Sequence, residues 1–126
     1  MRLGVSGIIA TNTTISRDGL QTRNVDAFGA GGLSGRPLAA RSNEIISSIY
    51  RHSGGRLPVV GVGGIFTAQD AFDKIAAGAC LVQAYTGFVY GGPQFARDLA
   101  TNLRKLLQEH GFSGLDDAIG SGTKPV

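Results

Sequence analysis

The sequence is poor in the residues that most often carry chemistry: one cysteine, two histidines and no tryptophan among 126 residues. A lone cysteine excludes an internal disulfide and any multi-cysteine metal site. It lies in the apolar run Ala79-Cys80-Leu81-Val82, where a buried structural thiol is expected. His52 and His110 fall near the ends of expected helices, where a cation is mildly favoured. No His, Asp or Glu grouping has metal-ligand spacing, so no metal is expected. There is no Gly-x-Ser-x-Gly nucleophile elbow. No apolar stretch reaches the length of a membrane span, and Met1-Arg2-Leu3-Gly4 lacks the shape of a signal peptide. A soluble, intracellular-type chain is expected. The formal net charge is +3, but the basic residues are scattered and no aromatics interleave with them. Nucleic acid is therefore not an expected partner.

Glycine and apolar residues are plentiful. There are 20 glycines, and hydrophobic residues make up 42% of the chain. That hydrophobic share fits a core-forming polypeptide of one-domain size. The glycines stand at turns between apolar runs. Three times a short apolar run leads into a glycine-containing loop and then into a helical pattern, the signature of repeated βα units on a parallel sheet. The first run is Ser6-Gly7-Ile8-Ile9-Ala10, followed by a long polar loop from Thr11 to about Gly35. Pro37 opens a helix whose stripe is Ile45, Ile46, Ile49 and Tyr50, ending at Gly54-Gly55. The second run, Leu57 to Val62, does not alternate and reads as a buried parallel strand. Thr67 and Asp70 resemble a capping box for the next helix, with Ala71, Phe72, Ile75 and Ala76 facing inward and Gly78 as the stop. The third run is Cys80 to Tyr85; a loop with Gly91-Gly92 follows, and Pro93 opens a last helix with Phe95, Leu99, Leu103, Leu106 and Leu107 on its apolar face. The tail from Phe112 is of mixed polarity, with a frayed end from Gly120 to Val126 expected. Leu3-Gly4-Val5 reads as the end of a helix, so Met1 is expected to be an internal start or an artificial boundary.

In parallel βα architectures ligands sit at the C-terminal ends of the strands. After the second run come Gly61-Val62-Gly63-Gly64 and a helix N-terminus, and after the third come Tyr85-Thr86-Gly87. Exposed backbone N–H groups at such places can cradle a phosphate; the plainer alternative is that the glycines only make tight turns. After the first run come Thr11-Asn12-Thr13-Thr14. These offer uncharged donors and acceptors to a planar heterocycle, or simply an Asx or Ser/Thr turn, which local sequence favours. The Gly29-to-Leu38 segment is a flexible linker or a backbone wall for a cofactor. Ser34 within it has no base nearby in sequence and is a poor nucleophile candidate.

The strings Ile9-Ala10-Thr11-Asn12-Thr13-Thr14-Ile15-Ser16-Arg17, Gly31-Gly32-Leu33-Ser34-Gly35-Arg36-Pro37-Leu38, Pro58-Val59-Val60-Gly61-Val62-Gly63-Gly64-Ile65 and Leu81-Val82-Gln83-Ala84-Tyr85-Thr86 resemble successive motifs of class 2, quinone-dependent dihydroorotate dehydrogenases. The tail through Asp117-Ala118-Ile119-Gly120 is similar too. The resemblance covers the whole chain in the right order. It implies an α/β fold, about three C-terminal βα units of a TIM (β/α)8 barrel with parallel strands, and residues 1–126 as a partial FMN-binding domain with no second domain. It further implies that Asn12 and Thr13 bind dihydroorotate or orotate, and that Thr11, Gly35, Gly63, Gly64, Tyr85 and Thr86 bind FMN. The family oxidises dihydroorotate to orotate in pyrimidine biosynthesis, with FMN and a quinone acceptor.

Five βα units that precede this segment in the family have no counterpart here. They carry the serine general base, a flavin-side lysine and the quinone-facing helices. No catalytic residue is therefore expected within the chain, and the isolated polypeptide is expected to be inactive, to expose positions of the Ile8, Val60 and Val82 type, and to need the N-terminal barrel segment as a partner. Full-length members are expected to lie peripherally on the bacterial cytoplasmic membrane or the mitochondrial inner membrane. Two other readings stand beside this one: a different FMN or phosphate-binding barrel, and a non-catalytic remnant or partner-binding βα module.

Overall fold

The three apolar runs form three strands, β1 (Ile8–Ala10), β2 (Val59–Val62) and β3 (Leu81–Gln83). These belong to a computed structural model that describes residues 4–123. The strands lie in the order β1-β2-β3, and both pairings are parallel, as the run–loop–helix repeat leads one to expect. Parallel neighbours need a long crossover. Helix α1 (Ala39–Ser53) supplies it between β1 and β2, and α2 (Ala68–Ala76) between β2 and β3.

The register sets the two faces of the sheet apart. Ile8 pairs with Val59, and Gly61 lies between Ala10 and Val82. Side chains alternate along a strand, so these residues share the face that α1 and α2 cover. There Ala10, Ile46, Val59 and Ala79 are buried, with Ile8 packed against them. The other row is Ile9, Val60 and Leu81. Ile9 is 69% exposed and Leu81 61%. Of the three positions expected to be bare, Ile8 and Val82 thus turn to the helices instead; period-two alternation gives the open face to their neighbours.

Local signals account for the helices. Pro37 lies in a 3-10 turn, Arg36–Leu38, that feeds α1, and Gly54 ends α1 with φ 61. Thr67 and Asp70 form the expected capping box of α2. Helix α4 (Phe95–Glu109) packs Leu103, Leu106 and Leu107 around Phe72 and Ile75 of α2. Cys80 is half-buried rather than buried, with Sγ 3.4 Å from the Val59 carbonyl oxygen.

Two further elements break the expected pattern. Thr86–Gly91, expected as a loop, is a short helix, α3. Gly87 there serves close packing: a Cβ would fall 1.9 Å from the Ile65 carbonyl oxygen. The tail forms α5 (Leu115–Ala118), and Ala118 is fully buried. Gly120 N donates to Ile75 O at 3.0 Å and Gly122 N to Ala76 O at 2.9 Å. The frayed end expected from Gly120 is instead fastened to the end of α2 as far as Thr123; residues 124–126, like Leu3 of the expected initial helix end, lie outside the described residues. Among the described residues, no helix is long and apolar enough to cross a membrane.

Candidate functional site

The C-terminal ends of all three strands open on one cleft of about 210 Å³. Thr11, Asn12 and Thr13 enter it after β1, Val62 at the end of β2 with Gly63 to Ile65 after it, and Ala84 to Gly87 after β3. Ser34, Gly35 and Leu38 close it from the long connection. All eight residues singled out from sequence, Thr11, Asn12, Thr13, Gly35, Gly63, Gly64, Tyr85 and Thr86, line this space. Ser34 lines it as well. Judging that serine only as a nucleophile hid its place between Leu33 and Gly35; the signal was its position inside a motif that already supplied a cleft residue.

The long connection is held at its root. Thr14 N donates to Leu33 O at 3.0 Å, and Leu33 N returns a bond to Thr14 O at 2.7 Å. The Arg17 guanidinium donates to the Gly31 carbonyl. Gly32 presses on Thr13, whose Oγ1 would lie 1.9 Å from a Cβ at that glycine. The segment therefore acts as a wall with a fastened base rather than as a free linker.

Uncharged groups dominate the lining, which contains no Asp, Glu, Lys, Arg or His. Thr11 N donates to Val62 O at 3.0 Å, but the buried Thr11 Oγ1 has no hydrogen-bond partner. Buried hydroxyls are normally paired, so this oxygen is an unsatisfied polar atom in a residue that lines the cleft. Asn12 Oδ1 accepts from Thr13 N at 2.8 Å. That contact is one residue on, not the two of an Asx turn; the turn expected here is instead a Ser/Thr turn at Thr14, whose Oγ1 accepts from Ser16 N at 3.1 Å, and the Asn12 amide hydrogens are left for something else.

Gly63 and Gly64 meet the plainer of the two expectations, a tight turn. Gly63 and Gly64 have φ values of 113 and 73, a region where a side chain is disfavoured. A Cβ at Gly64 would lie 2.5 to 2.7 Å from Ala39 atoms, and one at Gly63 would lie 2.8 Å from Leu38 Cδ2. What these glycines permit is contact between the turn and the start of α1. Nor does α2 offer a free N-terminus to an anion. Phe66 N and Thr67 N donate to Asp70 Oδ2 at 2.9 and 2.8 Å, so a carboxylate of the chain already sits there. Two helix starts without a side-chain cap border the cleft, those of α1 at Leu38 and of the six-residue α3 at Thr86 and Gly87.

A family model described as dihydroorotate dehydrogenase matches residues 1–107. The chain is 52% identical over 124 residues to the dihydroorotate dehydrogenase (quinone) of Mycolicibacterium vanbaalenii, covering 98% of this chain and 35% of that protein. It is 48% identical over 124 residues to the protein of the same name from Mycobacterium tuberculosis, with 98% and 35% covered. Among solved structures, the ligand-free enzyme of Eimeria tenella superposes with a TM-score of 0.88 at 40% identity, over 97% of this chain and 34% of that one. The same enzyme in complex with ferulenol gives a TM-score of 0.88 with 32% of its chain covered. The chain thus spans about a third of the length of these relatives.

Proposed function

The chain belongs to the dihydroorotate dehydrogenase family, and we propose that its cleft is one part of a site for FMN and for dihydroorotate or orotate, within a single partial barrel domain of residues 1–126. The observation that carries this reading is the convergence of four segments, distant in sequence, on one uncharged cleft with an unpaired buried hydroxyl at Thr11. The lining suits a flavin mononucleotide. Thr11, Ser34, Tyr85 and Thr86 bring hydroxyl-bearing side chains to the lining, a chemistry suited to the polar edge and the phosphate of that group. Thr11, Gly35, Gly63, Gly64, Tyr85 and Thr86 are assigned to FMN, with the two glycines shaping the wall through their contact with Leu38 and Ala39. Asn12 and Thr13 are assigned to the pyrimidine, which presents C=O and N–H groups to a side-chain amide and a hydroxyl.

FMN bound there would supply a two-electron acceptor for the oxidation of dihydroorotate to orotate, with a quinone as the final acceptor. The chain's own residues bind, orient and exclude water. They include no carboxylate, imidazole or lysine in the lining to take a proton from the substrate. The base, the quinone contact and any attachment to the bacterial cytoplasmic or mitochondrial inner membrane are assigned to barrel parts that the relatives have and this chain does not span.

A chimera tests the reading: the Mycolicibacterium vanbaalenii enzyme with its matching 124 residues replaced by those of this chain. The expected result is a yellow protein that reduces quinone with dihydroorotate. A folded chimera that retains no flavin overturns it. The open row Ile9, Val60 and Leu81 also supports a second reading, a non-catalytic module whose sheet is completed by another polypeptide. Flavin-free association of this chain with the remaining two thirds of the relative would favour that alternative.

A further inference from the structure

Beneath the cleft lies a buried cation that the proposed chemistry does not use. Lys74, on α2, is 1% exposed. A buried ammonium is costly unless it is hydrogen-bonded. Its Nζ donates to Ser42 Oγ at 3.0 Å and to Asn43 Oδ1 at 2.9 Å, both on α1. Its stem runs beside Gly61, where a Cβ would lie 3.2 Å from Lys74 Cδ. Burial lowers its pKa to about 8, against the raising influence of Asp70 and Asp73. Among the described residues the one salt bridge is between Arg41 and Glu44, so neutral oxygens are what the ammonium touches.

Ser42 carries the contact onward. Its Oγ donates to the Val62 carbonyl oxygen at 2.5 Å. The same oxygen accepts the Thr11 N–H at 3.0 Å. Val62 closes β2, Thr11 follows β1, and both line the cleft. A hydroxyl that accepts from a cation becomes a stronger donor. Ammonium, hydroxyl, carbonyl and amide thus link α2 and α1 to the ends of two strands. Gly63 comes next, and a Cβ there would lie 3.5 Å from Ser42 Cβ.

We infer that Lys74 is a positioning residue for the cleft, acting through Ser42 to hold the Val62 carbonyl and, with it, Thr11 and the Gly63-Gly64 turn where a ligand needs them. The identity of the ligand rests on the flavin reading above; the linkage itself does not. Lys74 is absent from the cleft lining, so an effect on binding is relayed, and the hydrogen-bonded route from it to lining residues runs through Ser42 to Val62. A lysine that only filled space could be replaced by methionine, which is similar in length and has no N–H.

The test is a double-substitution cycle in the chimera: Lys74→Met, Ser42→Ala and the two together. Site-resolved hydrogen exchange and flavin affinity are both measured. Lys74→Met should speed exchange of the Thr11 amide about tenfold or more relative to the other sheet amides, and should weaken flavin binding by a similar factor. Ser42→Ala should do the same, and the double variant no more than either single one. Ser42→Ala keeps the test alive if Lys74→Met does not fold, because it removes one oxygen and leaves the ammonium on Asn43. A Thr11 amide that exchanges at its original rate, that speeds up only in step with the whole chain, or that shows additive effects in the double variant overturns the inference. The exchange measurement needs no flavin, so a chimera that binds none would sink the proposed function while this linkage is still decided by the Thr11 amide.

Discussion

Replacing Thr11 with valine should raise the stability of the unliganded protein and lower its affinity for flavin, two effects of opposite sign from one atom. The side chain keeps its shape, with a methyl in place of the hydroxyl. In the free protein Thr11 Oγ1 is buried and unpartnered, a situation that costs about 1–3 kcal/mol for a neutral polar group. Removing it should return about 1 kcal/mol, because the Thr11 N–H to Val62 O bond of 3.0 Å is untouched. In the flavin complex the same substitution deletes a hydrogen bond and leaves a ligand atom unsatisfied, again about 1–3 kcal/mol. At about 1.4 kcal/mol per decade, affinity should fall roughly 5- to 150-fold. Ligand at free concentration L stabilises the folded state by RT ln(1 + L/Kd). The variant should therefore melt above the parent without flavin and below it at modest flavin excess. Thr11→Ser, which retains the hydroxyl, should hold flavin within about threefold of the parent. Urea titrations of the apo chimera and flavin-fluorescence titrations read both quantities. A Thr11→Val protein that is destabilised when empty and binds flavin as the parent does would refute the reasoning, since the hydroxyl would then be satisfied within the protein itself.

Asn12→Ala in the chimera should raise the KM for dihydroorotate or lower kcat/KM by roughly 5- to 150-fold, matching about 1–3 kcal/mol for a lost ring contact, while absorbance shows flavin retained; equal loss of flavin would remove Asn12 from the substrate role. Gly64→Ala should cost about 2 kcal/mol or more in urea unfolding, because its Cβ would meet Ala39 at 2.5 Å in a left-handed turn, so that Gly64→Val harms the fold before it harms phosphate binding selectively. Lys74 has a folded pKa of about 8 against an ordinary 10.5, so the unfolded chain binds more protons between those values and stability should rise with pH from about 8 to 10.5. The charged groups acting on it are Asp70 and Asp73 of α2, and α1 offers the neutral Ser42 and Asn43. From about pH 7.5 to 9.5 the urea midpoint of the parent should rise relative to that of Lys74→Met, and a parallel pair of curves would refute the buried charge. The 126-residue chain alone should show no dihydroorotate-dependent dye reduction; turnover by a flavin-loaded sample free of host enzyme would place the catalytic groups within it.

The βα order was legible because each signal is local. Apolar runs without alternation mark buried parallel strands, and Thr67 with Asp70 marks the start of α2. The cleft was legible for a topological reason: whatever follows parallel strands meets at one end of the sheet, so Thr11, Gly64 and Thr86 had to share a neighbourhood once the strands were placed. What escaped depends on tertiary contact. Gly87 and Gly91 looked like loop residues until the Ile65 carbonyl and the Phe95 ring occupied the space of their missing side chains. Asp70 looked like a cap for Thr67, which it is, but its second role, filling the N-terminus expected for a phosphate, follows from the bond to Phe66 N. Lys74 gave no sequence signal at all. A lysine three residues before Ala77 on an amphipathic helix reads as solvated, and only the approach of Ser42 and Asn43 explains its burial.

The two faces of the sheet differ in how far this chain's own elements cover them. On the helix side, Ala10, Val59 and Gly61 are fixed by α1 and α2, and Lys74, Ser42 and Val62 transmit that order to the strand ends. On the other side, Ile9 and Leu81 stand in solvent. Burying apolar area is worth about 25 cal/mol per Å², so an open row of this kind is a strong drive toward association with further strands. In a closed eight-stranded barrel such inward side chains pack in layers contributed by alternate strands, and the overlap with the Eimeria tenella enzyme at a TM-score of 0.88 places these three strands in that setting. Polar substitution at Ile9, which lines no part of the cleft, should therefore be tolerated by the isolated chain yet impair assembly with the remaining barrel. The same substitution at Ile8, which packs against the α1 core, should damage both.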